Sequence, residues 1–92
     1  MIRRVIINHI DPEFVESYKE ASKDLLAALK EKEGLLEGSV LICEDDPTLV
    51  FNIETWEDAE TAGKAHMTET FASFMPRLRG FKGNETYVLK EI

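Results

Sequence analysis

Residues 50–78, VFNIETWEDAETAGKAHMTETFASFMPRL, decide the fold, because the hydrophobic pattern changes there from that of a strand to that of a helix. Residues 49–56 are rich in β-branched and aromatic residues, which favours a strand. Asp58 is the predicted N-cap of the helix that follows, since its side chain can accept a backbone N–H of the first turn. Thr68 begins a second short segment, which Pro76 is expected to end or kink.

Outside this stretch the chain holds one long helix and three further strands. β-Branched residues predict a strand over residues 2–10 and another over residues 35–44. Between them a helix begins at Asp11–Pro12 and runs to about Lys32, with one apolar stripe at a helical period. Residues 84–92 form the last predicted strand, after a loop that two glycines bracket.

The predicted order is therefore β-α-β-β-α-β. Two right-handed crossovers within one sheet give a ferredoxin-like α+β fold, an antiparallel four-stranded sheet with both helices on one face. A chain of 92 residues has room for one core, so residues 1–92 are predicted to form a single domain.

The other face of the predicted sheet is also apolar. It carries Val5 and Ile7 on the first strand, together with apolar halves of the second and third strands. An open apolar face of this kind is typical of an interface. Two copies that pair face to face would cover it, which predicts a homodimer.

Composition narrows the class of partner. The formal net charge of −7 argues against nucleic acid and against anionic membrane surfaces, both of which need clustered Lys and Arg. No apolar stretch approaches the ~20 residues that span a bilayer. The single cysteine, Cys43, cannot form an intrachain disulfide, which fits a reducing, cytoplasmic setting.

Motifs for common cofactors are absent from the sequence. There is no cluster of His and Cys at metal-ligand spacing, and a hairpin turn explains the acidic residues 44–46 better than a metal site does. There is also no glycine-rich phosphate loop and no flavin or nicotinamide fingerprint. We therefore expect neither a metal nor a cofactor.

Three segments have a spacing that is found together in one known family: GLLEG at residues 34–38, ETWED at residues 54–58, and His66 followed by Thr70, Phe71 and Phe74. Together they resemble the antibiotic biosynthesis monooxygenase domain, one branch of the dimeric α/β-barrel proteins. The resemblance covers nearly the whole chain and implies the ferredoxin-like fold and the dimeric α/β barrel. The family includes cofactor-free oxygenases, haem degraders, quinol oxidants and members with no known activity.

The cofactor-free, anthrone-oxidising type in this family has an Asn four positions before the Trp of the third strand. Asn52 and Trp56 match that spacing. The same type has an Arg in the second helical region, where Arg77 lies one position away and Pro76 takes the aligned place. Part of its tyrosine set has no counterpart in this sequence. The resemblance implies a cofactor-free reaction, with Arg77 as a candidate substrate-binding residue.

The haem-degrading type uses an Asn on the first strand, a helix Trp and a helix His. Asn8 matches the first of these, but Ala65 and Met75 stand where the Trp and the His are expected. His66 lies one position from the Trp place and is a common residue in the family, so it does not count as the haem ligand. The sequence thus departs from this type at two of three positions.

Three residues are the candidates for catalysis. Asn52 could donate to an oxygen that gains negative charge, and Trp56, on the same strand face, could wall a flat pocket and donate its indole N–H. His66 is the candidate acid and base, because imidazole exchanges protons near neutral pH. Each also has a purely structural alternative: a satisfied amide, a core indole, or a structural helical His.

Further residues are expected to line a pocket between the helices and the sheet. Asn8 either lines this pocket or caps a backbone group. The large side chains of the helical regions favour core packing, but some of them must line any pocket that forms. The candidates among them are Tyr18, Phe71 and Met75.

We therefore expect a homodimeric monooxygenase that uses no metal, haem or flavin. Its substrate is a small, electron-rich aromatic molecule, such as a phenol, hydroquinone or anthrone, which passes an electron to O2 once it is deprotonated. His66 is the expected base, and Asn52 and Trp56 are the expected donors. The alternatives are a non-catalytic dimer that binds a small apolar metabolite, and a haem-binding or haem-degrading protein.

Overall fold

The computed structural model describes the whole chain, Met1–Ile92. The helices are α1 (Val15–Lys32), α2 (Ala59–Ala65) and α3 (Glu69–Ala72), and none has the length and apolar character needed to cross a membrane. The sheet is antiparallel throughout, in the order β2-β3-β1-β4. This architecture confirms the predicted ferredoxin-like α+β fold, with the helices on one face of the sheet. The strands are β1 (Ile2–Ile10), β2 (Glu37–Ile42), β3 (Leu49–Trp56) and β4 (Phe81–Lys90).

The entry into α1 differs from the prediction. Asp11 caps a 3-10 turn, Pro12–Phe14, by accepting the Glu13 backbone N–H at 3.4 Å, and the α-helix begins only at Val15. Ile10, which precedes the cap, lies in the same buried cluster as Val15. The two residues therefore fix the corner between β1 and α1 as an apolar staple does.

Strand β4 begins at Phe81, three residues earlier than the glycines predict. Gly83 lies within the strand at a φ of 140°, and the pairing register shifts between His9 and Ile10 of β1. Such an irregularity disrupts the pairing locally, and here pairing resumes on its other side, at Ile10 and Phe81. The sequence predicts a loop there because glycine is the usual residue of loops. Strand β2 is shorter at both ends than its apolar pattern suggests.

The second helical region is divided at the predicted places. Asp58 caps α2 by accepting the Thr61 N–H at 2.8 Å, and Thr68 caps α3 through the Phe71 N–H at 3.3 Å. Pro76 lies in a 3-10 turn that follows α3. The caps and the proline together explain why this region forms short segments rather than one long helix.

Two buried apolar clusters hold the helices on the sheet, one toward each end of β3. Trp56 belongs to the first, with Leu25 of α1, and Val50 to the second, with Tyr18 of the same helix. Between them β3 carries two polar residues, Asn52 and Glu54, which are also buried. The core is thus interrupted by polar side chains at its centre, and this interruption positions the candidate site.

The opposite face of the sheet is apolar and uncovered. Leu41, Tyr87 and Leu89 are 53, 55 and 52 % exposed, although they belong to strands within one sheet. Phe51 lies at the centre of this face, paired with Leu41 of β2 and with Ile7 of β1. The structure therefore contains the open apolar face that the alternation of the strands predicts.

Gly80 and Gly63 form a matched pair for testing where the backbone tolerates a side chain. Gly80 has a φ of +83°, and a Cβ there would lie 2.8 Å from the Phe14 ring, so Gly80→Ala is expected to lower the free energy of unfolding by about 2 kcal/mol or more. Gly63, inside α2, has no atom within 4 Å of the added Cβ. Gly63→Ala is expected to raise stability by roughly 0.5–1 kcal/mol. Urea denaturation of both variants checks the prediction, and equal midpoints would contradict it.

Candidate functional site

A cavity of about 350 Å³ lies between the sheet and the helices, at the polar interruption of the core. This volume is at the lower end of the range of about 300–1,000 Å³ that is usual for small-molecule pockets. The sheet contributes polar side chains from β1 and β3, and the helices contribute mostly apolar and aromatic side chains. The principal members are Arg4, Asn8, Asn52 and Glu54 from the sheet, and Tyr18, Leu25, His66, Phe71 and Met75 from the helical regions.

The buried carboxylate of Glu54 is the centre of a charged cluster. Its side chain is 2 % exposed, and its Oε1 accepts the indole N–H of Trp56 at 2.8 Å. The same oxygen lies 3.7 Å from Nη1 of Arg4 and 3.8 Å from Nε2 of His66. A buried carboxylate needs such compensation, because an unpaired charge in the protein interior costs several kcal/mol.

The imidazole of His66 is held by groups from three directions. Its Nδ1 lies 2.7 Å from the Ala62 carbonyl oxygen, which can only accept, so we assign the ring proton to Nδ1. In a neutral ring of this tautomer the basic nitrogen is Nε2. Nη1 of Arg4 is 2.9 Å from both ring nitrogens, and the Phe71 ring centroid is 5.0 Å from that of the imidazole. The ring is therefore fixed beside the cavity with Nε2 accepting from Nη1 of Arg4, so this nitrogen takes a substrate proton only when the guanidinium moves off it.

The two amides that line the cavity differ in their partners. Asn8 donates to the Val50 carbonyl at 3.1 Å, so it caps a backbone group and lines the cavity at once. Asn52 is 6 % exposed as a residue, and its side-chain Oδ1 has no hydrogen-bond partner; Oγ of Ser22 in the cavity wall has none either. Leaving a buried polar group unpaired costs roughly 1–3 kcal/mol. An unpaired amide here is typical of a position where a ligand completes the hydrogen bonding.

Six of the eight residues predicted for the site line this cavity: Asn8, Tyr18, Asn52, His66, Phe71 and Met75. Trp56 does not line it. Its indole is fully buried in the neighbouring apolar cluster, and its N–H is bonded to Glu54. Arg77 also lies outside, where its side chain is 48 % exposed and pairs with Asp24 at 2.7 Å.

Sequence reasoning missed Arg4 and Glu54. The signal was the alternation of the strands, because Glu54 stands between Asn52 and Trp56 on one strand face, and Arg4 is paired with Glu54 across β1 and β3. A charged residue in a strand is usually solvated, which is why neither was chosen. No group of three or more His, Cys, Asp or Glu side chains is arranged to hold a metal ion.

Comparison with known proteins gives a family. Residues 1–77 match the model of the family described as antibiotic biosynthesis monooxygenase. No protein with a curated function matches the chain. Solved structures share the fold at low sequence identity, so they support the fold alone.

A conserved protein from Methanosarcina mazei Go1 is 22 % identical, with a TM-score of 0.85 over 99 % of this chain and 92 % of that one. An antibiotic biosynthesis monooxygenase is 17 % identical, with a TM-score of 0.86 over 100 % of this chain and 99 % of that one. A candidate antibiotic biosynthesis monooxygenase from Nitrosomonas europaea is 16 % identical, with a TM-score of 0.83 over 100 % and 99 %.

Burial raises the pKa of Tyr18 from 10.0 to about 12. Because the folded-state pKa lies above the unfolded one, the associated stability is present below pH 10 and is lost as the pH rises toward about 12. At neutral pH the phenol is therefore a hydrogen-bond donor and not a base. We expect Tyr18→Phe to remove a tyrosinate absorbance step near pH 12 and to flatten the fall in stability above pH 10. Unchanged titration in this variant would contradict the assignment.

Proposed function

We propose that this chain, which belongs to the antibiotic biosynthesis monooxygenase family, oxidises a small, electron-rich aromatic molecule with O2 and without a metal, haem or flavin. The observation that carries the proposal is the cavity itself. It combines apolar and aromatic walls, which suit a flat ring, with a fixed imidazole and an unpaired amide that face the same space. The imidazole suits proton abstraction, the unpaired Oδ1 of Asn52 can accept from the substrate hydroxyl, and Nδ2 of the same amide can donate to the oxyanion that forms.

The proposed reaction takes its electrons from the substrate. Nε2 of His66 removes the proton of an aryl hydroxyl or of its anthrone tautomer, and the anion passes one electron to O2. The aryloxyl radical, whose unpaired electron is shared with ring carbons, combines with superoxide to form a C–O bond at a carbon that still bears hydrogen, and the imidazolium returns its proton to give a hydroperoxide. Loss of water leaves a carbonyl. One oxygen atom is thus in the product and the other in water, and O2 is reduced by four electrons.

The protein residues have separate roles in this scheme. His66 is the base, and Nδ2 of Asn52 donates to the oxygen that becomes negative, because the unpaired Oδ1 of the same amide can only accept. Tyr18, Phe71 and Met75 bound the apolar part of the cavity, and Asn8 lies on its sheet side. Trp56 acts through Glu54, because the N–H that was expected to reach the substrate is already bonded to that carboxylate.

The convergent polar groups favour this reaction over the alternatives. A non-catalytic binder of an apolar metabolite predicts a cavity without such groups. A haem-degrading site predicts a Trp and a His where this chain has Ala65, which is 2 % exposed in the apolar core, and Met75.

We propose further that the chain works as a homodimer through the uncovered sheet face. Removing that apolar surface from water is favourable by roughly 25 cal/mol per Å². The face also belongs to β1 and β3, the strands that carry the cavity residues on their other side. Dimer formation would therefore stiffen the sheet beneath the site.

Oxygen consumption with a panel of hydroquinones and anthrones tests the residue assignment. His66→Ala is expected to lower kcat/KM by roughly 100-fold or more, and Asn52→Ala by a similar factor. Lys64→Ala is the control, because Lys64 is exposed on α2 and pairs with Glu60. Equal rates in the wild type and both cavity variants would contradict the assignment of His66 as the base and Asn52 as the donor.

The oligomeric state tests the homodimer. In sedimentation the wild type is expected to have twice the chain mass of 10.5 kDa, and the Phe51→Lys variant the mass of one chain. The reason is that burying a charge at the centre of the sheet face costs a large desolvation free energy. Met67→Lys is the control on the helical side, where Met67 is 87 % exposed. A monomeric wild type, or a dimeric Phe51→Lys variant, would contradict the proposal.

A further inference from the structure

We propose that Arg4 binds an ionised oxygen of the ligand, so that the cavity selects flat aromatic molecules carrying a phenolate or a carboxylate. The inference rests on the proposed function only in taking the cavity as the ligand site. It assigns a residue that sequence reasoning did not select, and it replaces Trp56 as the second donor to the oxyanion.

Arg4 has unused hydrogen-bonding capacity at the cavity. Its protein contacts, to His66 and to Glu54, all run through Nη1. A guanidinium carries five N–H groups, so those on Nε and Nη2 have no protein partner. The side chain is 19 % exposed and lines the cavity, whereas Glu54 is 2 % exposed. Both residues line the cavity, but a ligand that enters it can reach more of the cation than of its counter-charge.

The charge of Arg4 is only loosely compensated. Its Nη1 lies 3.7 Å from Oε1 of Glu54, which is longer than a hydrogen bond, while the Trp56 N–H occupies that oxygen at 2.8 Å. Arginine favours bidentate contact with planar oxygen anions, and such charge-assisted bonds are about twice as strong as neutral ones. An anionic oxygen is the ligand group that would complete this site.

The whole cluster keeps its charge when the ligand loses its proton. Before the transfer it contains the Arg4 cation, the Glu54 anion, a neutral imidazole and a neutral hydroxyl. Breaking the ligand O–H bond and forming an N–H bond at Nε2 of His66 gives two cations and two anions. The new imidazolium lies 3.8 Å from the carboxylate of Glu54 and 2.9 Å from Nη1 of Arg4, so the guanidinium must turn from the ring toward the new oxyanion as the proton moves. After that turn each new charge faces an opposite one.

The test is a calorimetric titration with three naphthalene probes: β-naphthoate, its isosteric neutral amide β-naphthamide, and the smaller β-naphthol. The wild type is expected to bind the naphthoate at least roughly tenfold more tightly than the naphthamide, as one charge-assisted contact predicts. Glu54→Gln keeps an acceptor for Trp56 and removes the competing anion, so it should increase this preference. Arg79→Gln is the matched control, because Arg79 packs over Phe14 outside the cavity.

Arg4→Gln alone leaves Glu54 buried without its cation and could fail to fold. The double variant Arg4→Gln/Glu54→Gln removes both charges and is the deciding measurement. In it the affinities for naphthoate and naphthamide are expected to be nearly equal. If the double variant binds naphthol and naphthoate more weakly by the same factor, the site takes a phenolic oxygen. If only naphthoate binding is weakened, the site takes a carboxylate.

Equal affinity of the wild type for naphthoate and naphthamide would overturn the proposal. So would a preference that survives in the double variant, or a failure of all three probes to bind. None of these probes needs to be oxidised, so the outcome is independent of the oxygen-consumption test of the proposed reaction.

Discussion

The buried carboxylate of Glu54 is the constraint on which the site depends. A carboxylate that is 2 % exposed must be compensated, and removing one partner of a buried ion pair costs about 3–5 kcal/mol. Its compensating partners are Trp56 from the same strand and Arg4 from the neighbouring strand, and Arg4 in turn contacts His66 at the end of α2. The placement of α2 over the sheet is therefore fixed by this polar contact as well as by apolar contact.

The position of the cavity follows from the composition of β3. Its helix-facing residues are apolar at the two ends, at Val50 and Trp56, and polar between them, at Asn52 and Glu54. The apolar ends supply the burial that holds α1 on the sheet. The polar centre cannot pack against helix side chains without losing hydrogen bonds, so a space opens there. The unpaired Asn52 amide lowers stability at the place where the ligand is proposed to bind, which is where such conflicts are expected.

Local patterns could predict most of the fold but only part of the site. The alternation of side chains that marks β3 and the helix caps at Asp58 and Thr68 depend only on residues that are neighbours in the chain. The strand and both caps were predicted correctly. The start of β4 depends on a register shift in β1, which no local pattern records. The positions of Trp56 and Arg77 outside the cavity likewise depend on side-chain partners that no local pattern records. A donor is available to a ligand only if no protein acceptor has taken it, and Glu54 and Asp24 are such acceptors.

The two faces of β3 tie the site to the proposed dimer interface. Successive residues of a strand point to opposite faces, so Phe51 and Ile53 face outward while Asn52 and Glu54 face the helices. A slip of one residue in the pairing with β1 would place the carboxylate on the apolar face and Phe51 in the cavity. Such a slip loses the charge compensation and the apolar surface together, because Arg4 pairs with Glu54 and Ile7 with Phe51 in the same register. The charged cluster therefore helps to specify the pairing register of β1 and β3. The same two strands carry the residues proposed for the chemistry of the cavity.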